Sequence, residues 1–203
     1  MCGRYYANDE LDREIEKLVN QIYESMLHTH REIYPSAVAD VIVPEADQRV
    51  VRRFTWGFSH FNPQNSSVIF NARQESVLQK PMFKDSILHR RCIIPAAGYY
   101  EWNSKKDKYL FTPTEDNILL FAGLYKQEGD SGRYVILTTS PNESTREVHD
   151  RMPVMIQRNE MDEWLKEDEK LPYFLQREQK ALKKELLQNT QTKKALDGQL
   201  TLF

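Results

Sequence analysis

The chain has 203 residues, enough for one domain and one sizeable core, since Leu, Ile, Val and Phe make up about a quarter of it and disordered chains fall below ~20 %. Lys and Arg number 28 against 30 Asp and Glu, a net charge of -2, which excludes a globally basic nucleic-acid coat; a nucleic-acid partner must be gripped by a local cleft of arginines. No apolar run reaches the ~18 residues of a membrane span, the start MCGRYYANDE lacks a signal-peptide pattern, and two cysteines, Cys2 and Cys92, form no disulfide framework, so a soluble cytoplasmic protein is expected.

The first element is a helix opening near Asn8 or Asp9, either of which can cap it. Leu11, Ile15, Leu18, Val19, Ile22 and Met26 recur on one face, and His28 and His30 fall at its end. Short β-rich segments follow, punctuated by Pro35, Pro44 and Pro63: AVADVIV, VVRRFTWGF, SVIF, RCIIPA, ILLFAGLY and YVILTT. Their spacing predicts a mostly antiparallel, strongly curved sheet or open barrel. Two helices are expected to close the chain. One runs from Met161 through Lys166, capped by Asn159; the other covers roughly Tyr173 to Leu187, with Leu175, Leu182 and Leu186 on one side and a solvated charged face. A final LTLF adds an edge strand. No repeat or linker divides the chain, so the reading is a single α+β domain over 1–203, with a motif-bearing core at 2–156 and the C-terminal helices and terminal strand at 157–203.

Position 2 carries the sharpest chemistry. Cysteine is small enough for Met1 to be removed, which leaves Cys2 with a thiol and a free α-amine. Such a 1,2-aminothiol condenses with an aldehyde through nitrogen and closes a five-membered thiazolidine through sulfur. Its groups titrate near neutrality, at roughly 7.7–8.0 and 8.5. On position alone, a small residue at a processed terminus remains the plainer reading. Three later segments end strand-like runs in polar residues: SVIF runs into Asn71-Ala72-Arg73, RCIIPAAGYY into Glu101-Trp102, and YVILTTS leads to His149-Asp150-Arg151. A glutamate and a histidine are the usual pair for moving protons near neutral pH, although each alone is more commonly a surface or packing residue.

Taken in order, MCGRY, FTWGF, NAR, PAAGYYEW and HDRMPV resemble the SOS-response-associated peptidase family, whose members include abasic-site processing proteins; the resemblance covers residues 2 to about 156. It implies single-stranded DNA as partner and an abasic deoxyribose as substrate. By motif, Cys2 is implied as the nucleophile that forms a thiazolidine crosslink, and Asn71 as the group positioning the amine and the sugar. Glu101 and His149 are implied as the proton-moving residues. The family name reflects autocatalytic removal of the residue before the cysteine, here Met1. Arg4, Arg73, Arg151 and Thr138 are implied as phosphate partners and Trp56 as an apolar or stacking surface, with core packing an equal reading for Trp56. Where some relatives carry an arginine shortly before a Met-Phe pair, Met82-Phe83 here follows Lys80-Pro81.

Nothing in the residues calls for a cofactor. His28 and His30 face opposite ways on a helix, and His89 and Cys92 lack a second ligand pair at zinc spacing, so no metal site is expected; Cys92 reads as a buried packing residue. There is no phosphate-binding glycine loop and no serine elbow. Two other functions stay open: a cysteine peptidase acting on peptides, with His149 as base and Glu101 orienting it, and a non-catalytic reader of modified DNA. The expected molecule is a monomer that joins the nucleoid when bound to DNA.

Overall fold

Asn8 caps the first helix, its side-chain oxygen accepting the Leu11 N–H at 2.9 Å. The computed structural model describes residues 2–22, 31–60, 67–129 and 131–187. The first part of the chain forms β1 (Tyr5–Ala7), α1 (Asp9–Leu18), β2 (Gln21–Ile22), β3 (Arg31–Ile33), β4 (Val38–Glu45), β5 (Gln48–Trp56) and β6 (Phe58–His60). Then come β7 (Ser67–Ile69), β8 (Asn71–Arg73), α2 (Pro81–His89), β9 (Arg91–Ala96), β10 (Gly98–Trp102), β11 (Lys108–Thr112), β12 (Leu119–Glu128) and β13 (Ser131–Thr139). The chain continues through β14 (Met152–Pro153), α3 (Met161–Lys166), α4 (Leu171–Phe174) and β15 (Lys183–Leu187).

Five strands close on themselves. Antiparallel ladders run β5–β4–β9–β12–β13, and a short parallel ladder between β13 and β5, Arg133 opposite Thr55 and Tyr134 opposite Trp56, completes the ring. The expected open barrel is thus a closed one, joined by a non-local pairing that hairpin patterning does not reveal. Gly57 makes the turn out of β5 possible. It sits at φ +110°, and a Cβ there would meet Val68 Cγ1 at 2.0 Å. A second sheet, ordered β15–β11–β10–β1–β3 and antiparallel throughout, lies beside the barrel. Tyr5, Tyr99, Phe111 and Phe121 from the strands and Trp56 and Tyr134 from the barrel seam are all buried and in ring contact. Each such side chain contributes about 1.5–3 kcal/mol on burial.

The structure differs from the sequence reading in four places. α1 stops at Leu18 instead of continuing to Met26. Val19 is extended, Asn20 N–H donates to Arg49 O at 2.8 Å, and Asn20 Oδ1 accepts the Arg49 N–H at 3.0 Å, which draws the chain into β2 alongside β5. Asn159 does not cap α3: a 3-10 turn, Arg158–Glu160, precedes it, opened by Gln157, whose N–H is accepted by Glu160 Oε2 at 2.9 Å. A helix over Tyr173 to Leu187 is replaced by the short α4 and by β15. Gln179 Oε1 accepts the Met155 N–H at 2.7 Å and Asn142 Nδ2 donates to Gln179 O at 3.0 Å, which pins the segment between them in a non-helical path. β15 then pairs the free side of β11, Leu187 opposite Lys108. Finally, α2 is an element absent from the sequence reading; it begins at Pro81, a residue pre-organised for a first helical turn. Met26, His28, His30 and the LTLF segment lie outside the described residues. Among the described residues no helix is long and apolar enough to cross a membrane.

Candidate active site

The two sheets meet at Cys2. β1 places it: Tyr100 N–H donates to Arg4 O at 2.9 Å, which lays the chain before Tyr5 along β10. The cysteine is fully buried, and its carbonyl accepts a hydrogen bond from Asn71 Nδ2 at 2.9 Å. Asn71 is fixed there by the parallel pairing of β8 with β13, Asn71 opposite Ile136. Its Oδ1 is buried and has no hydrogen-bond partner among the described residues, so an acceptor stands ready beside the cysteine.

Glu101 comes from β10 and is 5 % exposed. Burial pushes its carboxyl up to about 7, and the charge of Asp150 acts in the same direction. His149 follows a turn in which its N–H donates to Thr145 O at 3.0 Å. The ring approaches Glu101, Nε2 to Oε2 being 3.9 Å, while Nδ1 accepts the Arg151 N–H at 3.1 Å. That acceptor role assigns the neutral ring's proton to Nε2, the nitrogen facing Glu101. Asp150 Oδ1 lies 2.8 Å from Nδ1 and becomes an ion-pair partner only when the ring is protonated. Burial lowers the His149 pKa. The Cys2 thiol moves strongly upward, first by burial and second by the nearby Glu101 charge, with the Arg4 backbone amide acting against them. The site therefore holds a protonatable carboxyl, a neutral imidazole and a thiol kept in its S–H form.

The residues expected to grip DNA occupy quite different environments. Arg73 is exposed on β8. Arg4 is half-buried, 3.1 Å from Glu32 and stacked over Tyr34 and Trp102 at 4.4 and 4.7 Å. Arg151 donates to both Glu75 carboxylate oxygens, at 2.6 and 3.0 Å, and to Thr138 O at 2.6 Å. Those bonds hold the Glu75 carboxyl below the usual range. Thr138 is buried, its hydroxyl donating to Ala72 O at 3.3 Å, so its place in this structure is to shape the seat of Arg151. Trp56 is 0 % exposed, stacks on Tyr134 with rings 7° from parallel, and donates from Nε1 to Phe70 O at 2.8 Å. It presents no face on which a base can stack, and of its two sequence readings the structure takes core packing. Lys80 is exposed at the start of α2. Cys92 is buried in β9. Among the described residues no cluster of His, Cys, Asp or Glu could hold a metal ion.

Sequence reasoning missed three neighbours. Glu75, which locks Arg151, lies two residues beyond the NAR motif and carries no signature of its own. Lys108, over the Tyr100 ring at 3.7 Å and 2.8 Å from Glu32, extends the cation and aromatic cluster that Arg4 begins. Tyr99 was findable: strand alternation puts residues 99 and 101 on one face of β10.

The SOS response associated peptidase (SRAP) family model matches residues 1–197. The abasic site processing protein YoqW of Bacillus subtilis (strain 168) is 31 % identical over 190 residues, covering 87 % of this chain and 85 % of that protein. YoaM of the same organism, also an abasic site processing protein, is 29 % identical over 190 residues, covering 87 % of this chain and 84 % of its own. A crystal structure of a Bacteroides thetaiotaomicron protein superimposes with a TM-score of 0.76 at 21 % identity, over 95 % of this chain and 94 % of that one, a likeness of fold.

Proposed function

This chain belongs to the SOS response associated peptidase family, and we propose that it captures abasic sites in single-stranded DNA as a covalent thiazolidine through Cys2. The observation that carries the proposal is the near-neutral carboxyl of Glu101 beside a buried cysteine, with His149 Nε2 3.9 Å from it.

The chemistry runs from these residues. Removal of Met1 frees the Cys2 amine. The abasic sugar is mostly a closed hemiacetal, so Glu101 in its acid form protonates the ring oxygen as the C1–O bond breaks and a base takes the C1 hydroxyl proton, exposing the aldehyde. The neutral amine adds to that carbon; its surplus proton returns to the Glu101 carboxylate, the alkoxide takes back the proton held by the base, and the restored carboxyl then protonates the hydroxyl, which leaves as water and gives an iminium. The Cys2 sulfur then bonds to the iminium carbon, the C=N electron pair returns to nitrogen, and the thiol proton passes to the Glu101 carboxylate. Aldehyde and aminothiol thus give thiazolidine and one water. Asn71, bonded to the Cys2 carbonyl, holds the nucleophile in register, and its unpartnered Oδ1 is an acceptor for the amine. Closing the ring through sulfur removes the iminium that drives β-elimination, so the strand is shielded and not cut. Arg4 and Arg73 supply phosphate contacts at the rim, and a phosphate competes with Glu75 for the Arg151 fork.

The same site supports autocatalytic removal of Met1, a reading favoured by the Glu101 carboxyl and the His149 imidazole, 3.9 Å apart, at the Cys2 site. Intact mass of Glu101→Gln tests this, because self-cleavage predicts that the variant keeps Met1 and host processing predicts that it does not. For the capture itself, the test is a denaturing gel with an abasic oligonucleotide: wild type gives a crosslinked band and Cys2→Ala gives none.

A further inference from the structure

Two tyrosines face one another across the β1–β10 ladder, Tyr5 opposite Tyr99, and their hydroxyls meet different fates. Tyr5 OH bonds Tyr134 OH at 2.6 Å. Tyr99 OH is buried with no hydrogen-bond partner among the described residues, while its ring is clamped by Phe111, stacked at 5.0 Å, and by Phe121, edge-on at 5.9 Å. A buried donor left unmade is a standing cost, and one in a fully ordered core invites a partner that arrives later. Strand alternation puts Tyr99 on the face of β10 that carries Glu101, and its hydroxyl feels the charges of Cys2 and Glu101. The Cys2 sulfur accepts a hydrogen bond from the Arg4 backbone amide and feels the Glu101 charge from β10, whereas the Tyr5 and Tyr134 hydroxyls, which also sense it, are engaged with each other.

We infer that the Tyr99 hydroxyl is a positioning group for the Cys2 sulfur, donating a hydrogen bond to it as the C–S bond of the ring forms and as it reopens. The inference rests on the proposed capture chemistry. In closure the sulfur gives its proton to the Glu101 carboxylate and its electron pair to the iminium carbon. In reopening the pair returns to sulfur and the C=N bond reforms. In both directions negative charge gathers on sulfur in an apolar pocket beside a carboxylate, and Tyr99, keeping its own proton throughout, adds a second donor to the Arg4 backbone amide to offset it.

Tyr99→Phe removes one oxygen and leaves the ring packing. In protein freed of Met1, it is expected to keep or raise the melting temperature while moving the pH profile of Cys2 reaction with a disulfide reagent upward by about one unit, so that the thiol reacts about tenfold more slowly at neutral pH. Peptide mass scores Cys2 separately from Cys92. With an abasic oligonucleotide, borohydride-trapped imine forms at the wild-type rate and the sulfur-closed adduct about tenfold more slowly. Should Tyr99→Phe fail to fold, 3-fluorotyrosine at position 99, a stronger donor of nearly the same size, is expected to shift the thiol profile downward. A Cys2 profile unchanged by either replacement overturns the inference. A wild-type protein that forms no adduct at all overturns the capture chemistry instead, and the thiol profile still decides whether Tyr99 touches the sulfur.

Discussion

Glu101 Oε2 stands 3.9 Å from His149 Nε2, and burial moves the two groups in opposite directions, the carboxyl up to about 7 and the imidazole below its ordinary value. Near neutral pH this places a proton-bearing carboxyl beside a neutral imidazole whose N–H faces it, and the carboxyl is the acid that the proposed opening of a hemiacetal calls for. In the proposed capture, ring opening consumes acidic Glu101, whereas attack needs the Cys2 amine neutral, with an ordinary pKa of about 7.7–8.0. Single-turnover crosslinking is therefore expected to be bell-shaped in pH, rising as the amine loses its proton and falling as Glu101 ionises through about 7. In protein freed of Met1, Glu101→Gln lowers the rate about 10²–10⁴-fold and abolishes the carboxyl-dependent limb.

The same carboxyl sets a stability signature. Its folded pKa of about 7 lies above the ordinary 4.5, so the folded state binds the extra proton between those values. The penalty for ionising it is absent below about 4.5 and complete above about 7, where it reaches on the order of 3 kcal/mol. Glu101→Gln is expected to raise the melting temperature more at pH 8 than at pH 5. Equal shifts at both pH values contradict a buried, upward-shifted carboxyl.

Trp56 acts through packing. Trp56→Ala empties a site wedged against Tyr5, Phe70 and Tyr134 and is expected to cost about 3–5 kcal/mol in denaturant unfolding. Trp56→Phe, which keeps most of the ring contact, is expected to bind single-stranded DNA as wild type does. Lost DNA affinity in a Trp56→Phe protein of near-native stability would restore a stacking role.

The grip on DNA is expected to be ionic and local. The affinity for a single-stranded oligonucleotide falls with salt, and Arg73→Ala, at an exposed position, lowers the slope of log affinity against log salt by about 0.7 without changing the melting temperature. Arg151→Ala is expected to lower stability as well, because it leaves Glu75 and the Thr138 carbonyl without their guanidinium. A salt slope unchanged in Arg73→Ala removes that arginine from the contact.

Much of the barrel was legible because its strands are long and apolar: RCIIPA and YVILTT fall within β9 and β13, and AVADVIV and ILLFAGLY lie on β4 and β12 but for their first residues, Ala37 and Ile118. What was not legible is non-local. The parallel seam of Tyr134 with Trp56 joins residues far apart in sequence, and nothing in either segment announces it. Helix-favouring residues in KALKKELL yield to β11, whose unpaired side offers the backbone of Lys183–Leu187 a ladder. At the site, ordered motifs mark Cys2, Asn71, Glu101 and His149, and the fold brings all four together. Burial is what the motifs hide: FTWGF reads equally as an aromatic platform or as a core wedge, and only tertiary packing separates the two for Trp56. Thr138 and Arg151 likewise read as independent phosphate donors, whereas the structure makes one the seat of the other.

The most direct measurement is the intact mass of the Met1-free protein after incubation with a single-stranded oligonucleotide bearing one abasic site. The account predicts an adduct equal to protein plus oligonucleotide less one water, stable to denaturant and absent from Cys2→Ala. No mass gain in wild type, or the same gain in Cys2→Ala, contradicts it.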